Sequence, residues 1–183
     1  SSVGQEAFLG SGITSIALPD SITEIGISAF YQAASLSNVT FYETGSATSF
    51  AILRNAFRAC CTPGVDITLP QSCSSVGQEA FLGSGITSIA LPDSITEIGS
   101  SAFSQAASLS NVIFYESGSM VIGANAFFAT TSLLCFTIIG GPSAAPPWGS
   151  SQLPGSTASA CPYPPSLPPP SLPPPSPPPS PPP

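Results

Sequence analysis

The acidic side chains with regular spacing are the first candidates for chemistry. Asp20 and Glu24 stand four apart, and Asp93 and Glu97 repeat them. A carboxylate pair of this kind can move protons as general acid and base, or hold calcium through its oxygens. The plainer reading puts Asp20-Ser21 in a turn after Pro19 and leaves Glu24 on the solvated surface, with Glu6 and Glu79. No histidine occurs in the 183 residues, so neither a Ser-His-Asp nor a Cys-His arrangement can be assembled. The chain is therefore expected not to be an enzyme, and to need no cofactor.

Sulfur offers a second chemistry. Five cysteines, Cys60, Cys61, Cys73, Cys135 and Cys161, contain no CxxC pair, so zinc and dithiol redox sites have little support. Disulfides formed in an oxidising compartment fit better. Cys61 and Cys73 flank "CTPGVDITLPQSC" and are candidates to staple one segment to the next. Cys135 and Cys161 are candidates to tie a C-terminal linker back onto what precedes it. The odd count leaves one thiol free, buried or paired with another chain, and spacing alone does not determine the connectivity.

Charge narrows the partners. Arg54 and Arg58 are the only cations against nine acids, for a net charge of −7. Such a chain has little with which to neutralise phosphates, so nucleic acid is not an expected partner. The two arginines could form a small patch for an acidic glycan or partner, or pair with nearby acids for ~0–1 kcal/mol. Asn38-Val39-Thr40 is an N-glycosylation sequon, whereas Asn111-Val112-Ile113 is not; the sequon agrees with secretion. No apolar run is long enough for a membrane span. The absence of an initiator Met and of a signal peptide implies removal of a leader or a fragment of a longer chain.

The elements that must position these residues are repeats. "SSVGQEAFLGSGITSIALPDSITEIG" occurs at Ser1 and again at Ser74. Inside that duplication Ala-Phe recurs at Phe8, Phe30, Phe57, Phe81, Phe103 and Phe127, a spacing typical of solenoid coils. Val3-Gly4, Ile25-Gly26, Val76-Gly77, Ile98-Gly99 and Ile122-Gly123 precede it, and alternating apolar runs such as "ITSIALP" and "LSNVTFY" follow. The runs predict strands of three to five residues, and the Ala-Phe segment suits one or two helical turns. A single coil cannot bury its apolar side, so six coils are expected to stack with equivalent phenylalanines in a ladder and short strands in parallel.

The pattern "IGxxAFxxC" followed by "LxxIxLPxSITxIG" resembles the BspA-like, or Treponema-type, leucine-rich repeat. It reads here as "LRNAFRACC" at 53–61, "SVGQEAF" at 75–81 and "ITSIALPDSITEIG" at 86–99. The resemblance covers residues 1–141 and implies an α/β-type repeat solenoid, right-handed and curved, used in surface adhesion and protein recognition. It also implies that Cys60 occupies a buried ladder position, where Ala33, Ala106 and Thr130 stand in other coils. No ligand is carried over.

Residues 142–161, with Trp148, read as a cap or linker over the open end of the stack. From Pro162 to Pro183 the chain becomes "PYPPSLPPPSLPPPSPPPSPPP". Proline fixes φ and removes donors, so this stretch predicts a polyproline II rod on the order of 65–70 Å long at ~3.1 Å per residue. Ser166, Ser171, Ser176 and Ser180 would spiral around every side of it. The tail resembles the Ser-Pro blocks of hydroxyproline-rich glycoproteins of the extensin and pherophorin class. That implies hydroxylation and glycosylation at those serines and at Pro168, Pro169, Pro170, Pro173, Pro174, Pro175, Pro177, Pro178 and Pro179. It lacks the basic residue expected beside a PxxP ligand of SH3 modules.

Together these features predict a secreted structural glycoprotein of a cell wall, matrix or surface fibril. Ser1 shares the phase of Ser74 with no cap ahead of it, so head-to-tail self-association is expected. Wall or matrix glycans and proteins are the other expected partners. The alternative is an adhesin or receptor ectodomain binding through outward strand residues, notably Ser15, Ala17, Thr40, Tyr42 and their duplicates.

Overall fold

Each coil alternates a short strand, a turn segment carrying Ala-Phe, and a longer strand. The computed structural model describes residues 1–42, 49–115, 120–139, 153, 155 and 156, with the backbone of 159–160. The strands among these are β1 (Ser2–Val3), β2 (Ser15–Pro19), β3 (Glu24–Ile25), β4 (Asn38–Tyr42), β5 (Phe50–Ile52), β6 (Val65–Thr68) and β7 (Cys73–Val76). They continue as β8 (Ile86–Leu91), β9 (Glu97–Ile98), β10 (Asn111–Tyr115), β11 (Val121–Ile122), β12 (Cys135–Ile139) and β13 (Ser159–Ala160). Every pairing is parallel, as successive coils running the same way require. The chain is a parallel-strand solenoid of about six turns.

The short strands form one six-stranded sheet in the order β1-β3-β5-β7-β9-β11. Its register puts Val3 beside Ile25, then Ile52, Val76, Ile98 and Ile122, one β-branched residue per coil. Glycine follows this residue in five coils, and in four of them the backbone of the preceding coil passes there. A Cβ on Gly26, Gly77, Gly99 or Gly123 would lie 2.4–2.8 Å from main-chain atoms of that coil.

The Ala-Phe segment is not helical, contrary to the reading of its length. It is a run of turns in which the residues two before and two after each Phe take left-handed backbone, such as Ser28 (φ 55°) and Gln32 (φ 58°) around Phe30. Its amides alternate in direction. The N–H of Tyr31 donates within its own coil, to Ser28 at 3.1 Å, while those of Ser28, Phe30 and Gln32 donate to Arg54, Ala56 and Arg58 of the next coil. In a helix every such N–H would be spent four residues back on its own chain. Here every second one ties neighbouring coils together. The N–H of each Phe from Phe8 to Phe103 donates to the alanine carbonyl of the following coil at 2.7 Å.

Above this backbone ladder the rings stack. Phe8, Phe30, Phe57, Phe81, Phe103 and Phe127 have successive centroids 4.9–5.2 Å apart and are parallel to within 13°. All but Phe8 are fully buried. A buried phenylalanine contributes about 1.5–3 kcal/mol, and ring pairing about 0.5–1.5 kcal/mol more. Each ring therefore depends on both neighbours for its contribution.

β13 pairs with β12 through Cys135↔Ser159 and Phe136↔Ala160, and Leu153 is buried. The linker thus returns to the last coil. The proline-rich stretch 162–183 lies outside the described residues, as does Trp148.

Candidate functional site

The long strands present one row of residues inward and another outward. Val39, Ile67, Ile89, Val112 and Phe136 are buried, and the residues between them point out. Register aligns the outward residues into bands. Ser15 stands beside Asn38, and in the other ladder Asp66 stands beside Ser88 and Ser88 beside Asn111. Ala17 stands beside Thr40, and Thr68, Ala90, Ile113 and Thr137 form the matching series. Asn111 Nδ2 donates to Ser88 Oγ at 3.2 Å, a polar bridge along the band. Tyr42 (51% exposed) and Tyr115 (36%) edge the face. The outward residues expected from sequence, Ser15, Ala17, Thr40 and Tyr42, lie on this one surface. Their duplicates are Ser88, Ala90, Ile113 and Tyr115.

The surface is interrupted once among the described residues. β2 pairs with β4, and β6-β8-β10-β12-β13 pair in turn, but no pairing joins β4 to β6. The third coil is the irregular one. It has Leu53 where the other five have glycine, and both its strands pair with the next coil through a shift in register, between Phe50 and Ala51 and between Val65 and Asp66. Where the ladder stops, a cleft of about 330 Å³ opens. Asn38, Thr40 and Tyr42 line one wall, Asp66 and Thr68 the other, with Asp20 and Pro70. Val39 and Phe41 also reach it. Val39 is buried and Phe41 packs on Phe50, so their contribution is main chain.

Asp20 reaches the cleft from the first coil. Its N–H donates to the Tyr42 carbonyl at 2.9 Å, and its carbonyl accepts from Ser72 Oγ at 3.2 Å, so it touches both coils that flank the gap. Asp20 is 5% exposed. Its expected partner Glu24 is exposed in β3, and the copies Asp93 and Glu97 are both exposed. The regular pair read from sequence is therefore not a working unit. The acid that meets Asp20 at the cleft is Asp66, which sequence reasoning passed over.

The other candidates fall elsewhere. Arg58 pairs with Glu79 and lies 5.9 Å from the Tyr31 ring centre, joining the third coil to its neighbours, while Arg54 is exposed. Asn38 is exposed, and both Asn38 and Thr40 of its sequon line the cleft. No group of three or more metal-ligating side chains gathers among the described residues.

The cysteines correct the expected stapling. Cys61 is joined to the adjacent Cys60, and Cys73 is a buried free thiol. Left-handed backbone at Cys61 (φ 73°), with its N–H donated to Ala33, turns it back toward Cys60, while Cys73 opens β7 with its side chain buried. Burial pushes the Cys73 thiol up to about 12, against the opposing bond to the Ser75 backbone. Cys60 is buried as the resemblance implied, but oxidised. Cys135 is disulfide-bonded. Cys161 and the tail candidates Ser166, Ser171, Ser176, Ser180 and Pro168 to Pro179 lie outside the described residues.

A stack of parallel-strand coils, each adding one phenylalanine and one valine or isoleucine to shared apolar columns, is the architecture of a solenoid repeat protein. The chain belongs to the BspA type leucine rich repeat family, which matches residues 1–62 and 46–143 in six copies. The fold is similar to that of a leucine-rich repeat protein from T. pallidum, at 23% identity over 72% of this chain and 71% of that one, with a TM-score of 0.57. Looser likenesses are a leucine-rich repeat protein from Bacteroides ovatus (24% identity, 75% of this chain and 40% of that one, TM-score 0.48) and a leucine rich cell surface protein from Faecalibacterium prausnitzii. The latter is 26% identical over 75% of this chain and 42% of the other, with a TM-score of 0.49. The chain thus spans less than half the length of these last two. No curated protein matches it.

Proposed function

We propose that this chain is an extracellular, non-enzymatic recognition module, a surface adhesin or receptor-type ectodomain that docks partners on its outward strand face. The observation that carries the reading is the banding of that face. Parallel register lines up Ser15 with Asn38 on one side of the gap and Asp66, Ser88 and Asn111 on the other, two short polar tracks that face the same way. Short side chains on a rigid sheet lose little rotamer freedom on binding. Membership in the BspA type family supports the same reading. Among the described residues no helix is long and apolar enough to cross a membrane. The test is binding of the full chain to the surface of cells that produce it. Ser88→Arg and Asn111→Arg should remove binding while leaving thermal unfolding unchanged. Binding untouched by both would refute the face.

A second reading, a structural glycoprotein of a wall, matrix or fibril, is favoured by the repeated Ser-Pro blocks of the tail, whose serines stand five, five and four residues apart. In it residues 1–141 are the docking solenoid, 142–161 the cap and linker, and 162–183 a glycosylated rod. Pentose or hexose steps in the intact mass of native protein support it, as do fibres in electron micrographs of native material. An unmodified, dispersed monomer refutes it.

A further inference from the structure

The cleft between β4 and β6 differs from the rest of the strand face in depth, in charge and in the kind of groups it offers. We infer that it binds a neutral saccharide, a deepening that rests on the recognition role proposed above. Two acidic residues, Asp20 and Asp66, line it, and among the described residues neither arginine does, so uronates and sulfated sugars are repelled. A cationic side chain suits the carboxylates but only donates hydrogen bonds. The cleft also holds the Asn38 amide, the hydroxyls of Thr40 and Thr68 and stretches of β4 main chain, which donate as well as accept. A sugar hydroxyl both donates and accepts, and so matches the whole inventory. Carboxylates accepting from hydroxyls make charge-assisted bonds, about twice as strong as neutral ones. Tyr42, half exposed at the rim, supplies an apolar ring against which a pyranose can lay its C–H face. The volume of about 330 Å³ lies at the lower end of small-molecule sites, which fits one or two sugar units of a longer chain.

The duplication provides its own control. Asp93 and Tyr115 repeat Asp20 and Tyr42 in sequence, but β10 and β12 are paired where β4 and β6 are not. The copy has the aspartate, asparagine and tyrosine without the gap, with Ile113 in place of Thr40 and no acid on β12.

The test is calorimetric titration of the full chain, produced without N-glycosylation, with neutral arabino-, galacto- and gluco-oligosaccharides. Polygalacturonate and hexalysine are titrated in parallel. One neutral series should bind, Asp66→Ala and Tyr42→Ala should each weaken it at least tenfold, and Asp93→Ala and Tyr115→Ala should leave it within twofold. The proposal is overturned if no neutral series titrates below about 10 mM, if only polygalacturonate or hexalysine binds, or if the control variants lose as much as the cleft variants. If Ser88→Arg still abolishes surface binding while no saccharide titrates, the docking face stands and the cleft assignment alone falls.

Discussion

Asp20 and Asp93 hold the same place in two copies of one stretch of sequence, yet Asp20 is 5% exposed and Asp93 is open to solvent. What differs is the coil that follows. After Asp20 the ladder is broken between β4 and β6, and the aspartate lines the gap; after Asp93 the ladder continues from β10 to β12. Identical residues thus acquire different roles from an irregular neighbour.

The ring column should be the main source of stability. Phe103→Ala removes a fully buried ring with partners on both sides, and should cost about 3–5 kcal/mol in urea unfolding. Phe128→Ala, one residue beyond the column and 53% exposed, should change stability by less than about 0.5 kcal/mol. Similar costs for both would contradict the column.

Close approach at the repeated glycine is testable in the same way. A Cβ at Gly99 would stand 2.5 Å from the Gln78 nitrogen, so Gly99→Ala should destabilise by at least about 1–3 kcal/mol. Gly4 has open space around its missing Cβ, and Gly4→Ala should be nearly neutral when thermal midpoints are compared.

One buried hydroxyl in the fourth coil works against the stack. Ser84 is 3% exposed and its hydroxyl has no hydrogen-bond partner among the described residues. The equivalent places hold buried Ala33 and Ala106. Ser84→Ala should therefore stabilise by up to about 1 kcal/mol in denaturant midpoint; a loss of stability would mean the hydroxyl has a role in the fold.

Cys73 gives a pH signature. Its thiol is raised to about 12 in the folded chain from an ordinary 9.0, so above pH 9 the unfolded chain ionises while the folded one does not. Its contribution to stability is complete below pH 9 and is lost as pH rises toward 12, at up to about 1.4 kcal/mol per unit. Cys73→Ala should flatten that part of the stability profile. In native protein at pH 8 the thiol should resist alkylation and react only after denaturation, as read by mass spectrometry.

The phenylalanine spacing and the valine–isoleucine columns were legible because each position recurs six times, and stacking follows once one coil is seen to be incomplete. The turn segment was not. Its length permits a helix, and the left-handed residues Glu6, Asn55 and Ser101 are of types that carry no glycine warning. The cleft escaped for a different reason. It arises from departures at Leu53 and around Asp66, and a reading by periodicity discounts whatever breaks the period. The one visible signal was Leu53 in the glycine column. The link between Cys60 and Cys61 was hidden because it depends on backbone direction at a single residue.

The amide ladders run along the stack, so a force pulling its two ends apart loads coil after coil in series. Most junctions would resist through the two strand sheets and the turn ladder together, but the one between Tyr42 and Thr68 lacks a strand ladder. Under tension the molecule should yield there first, parting into two blocks that each keep their own stacked rings.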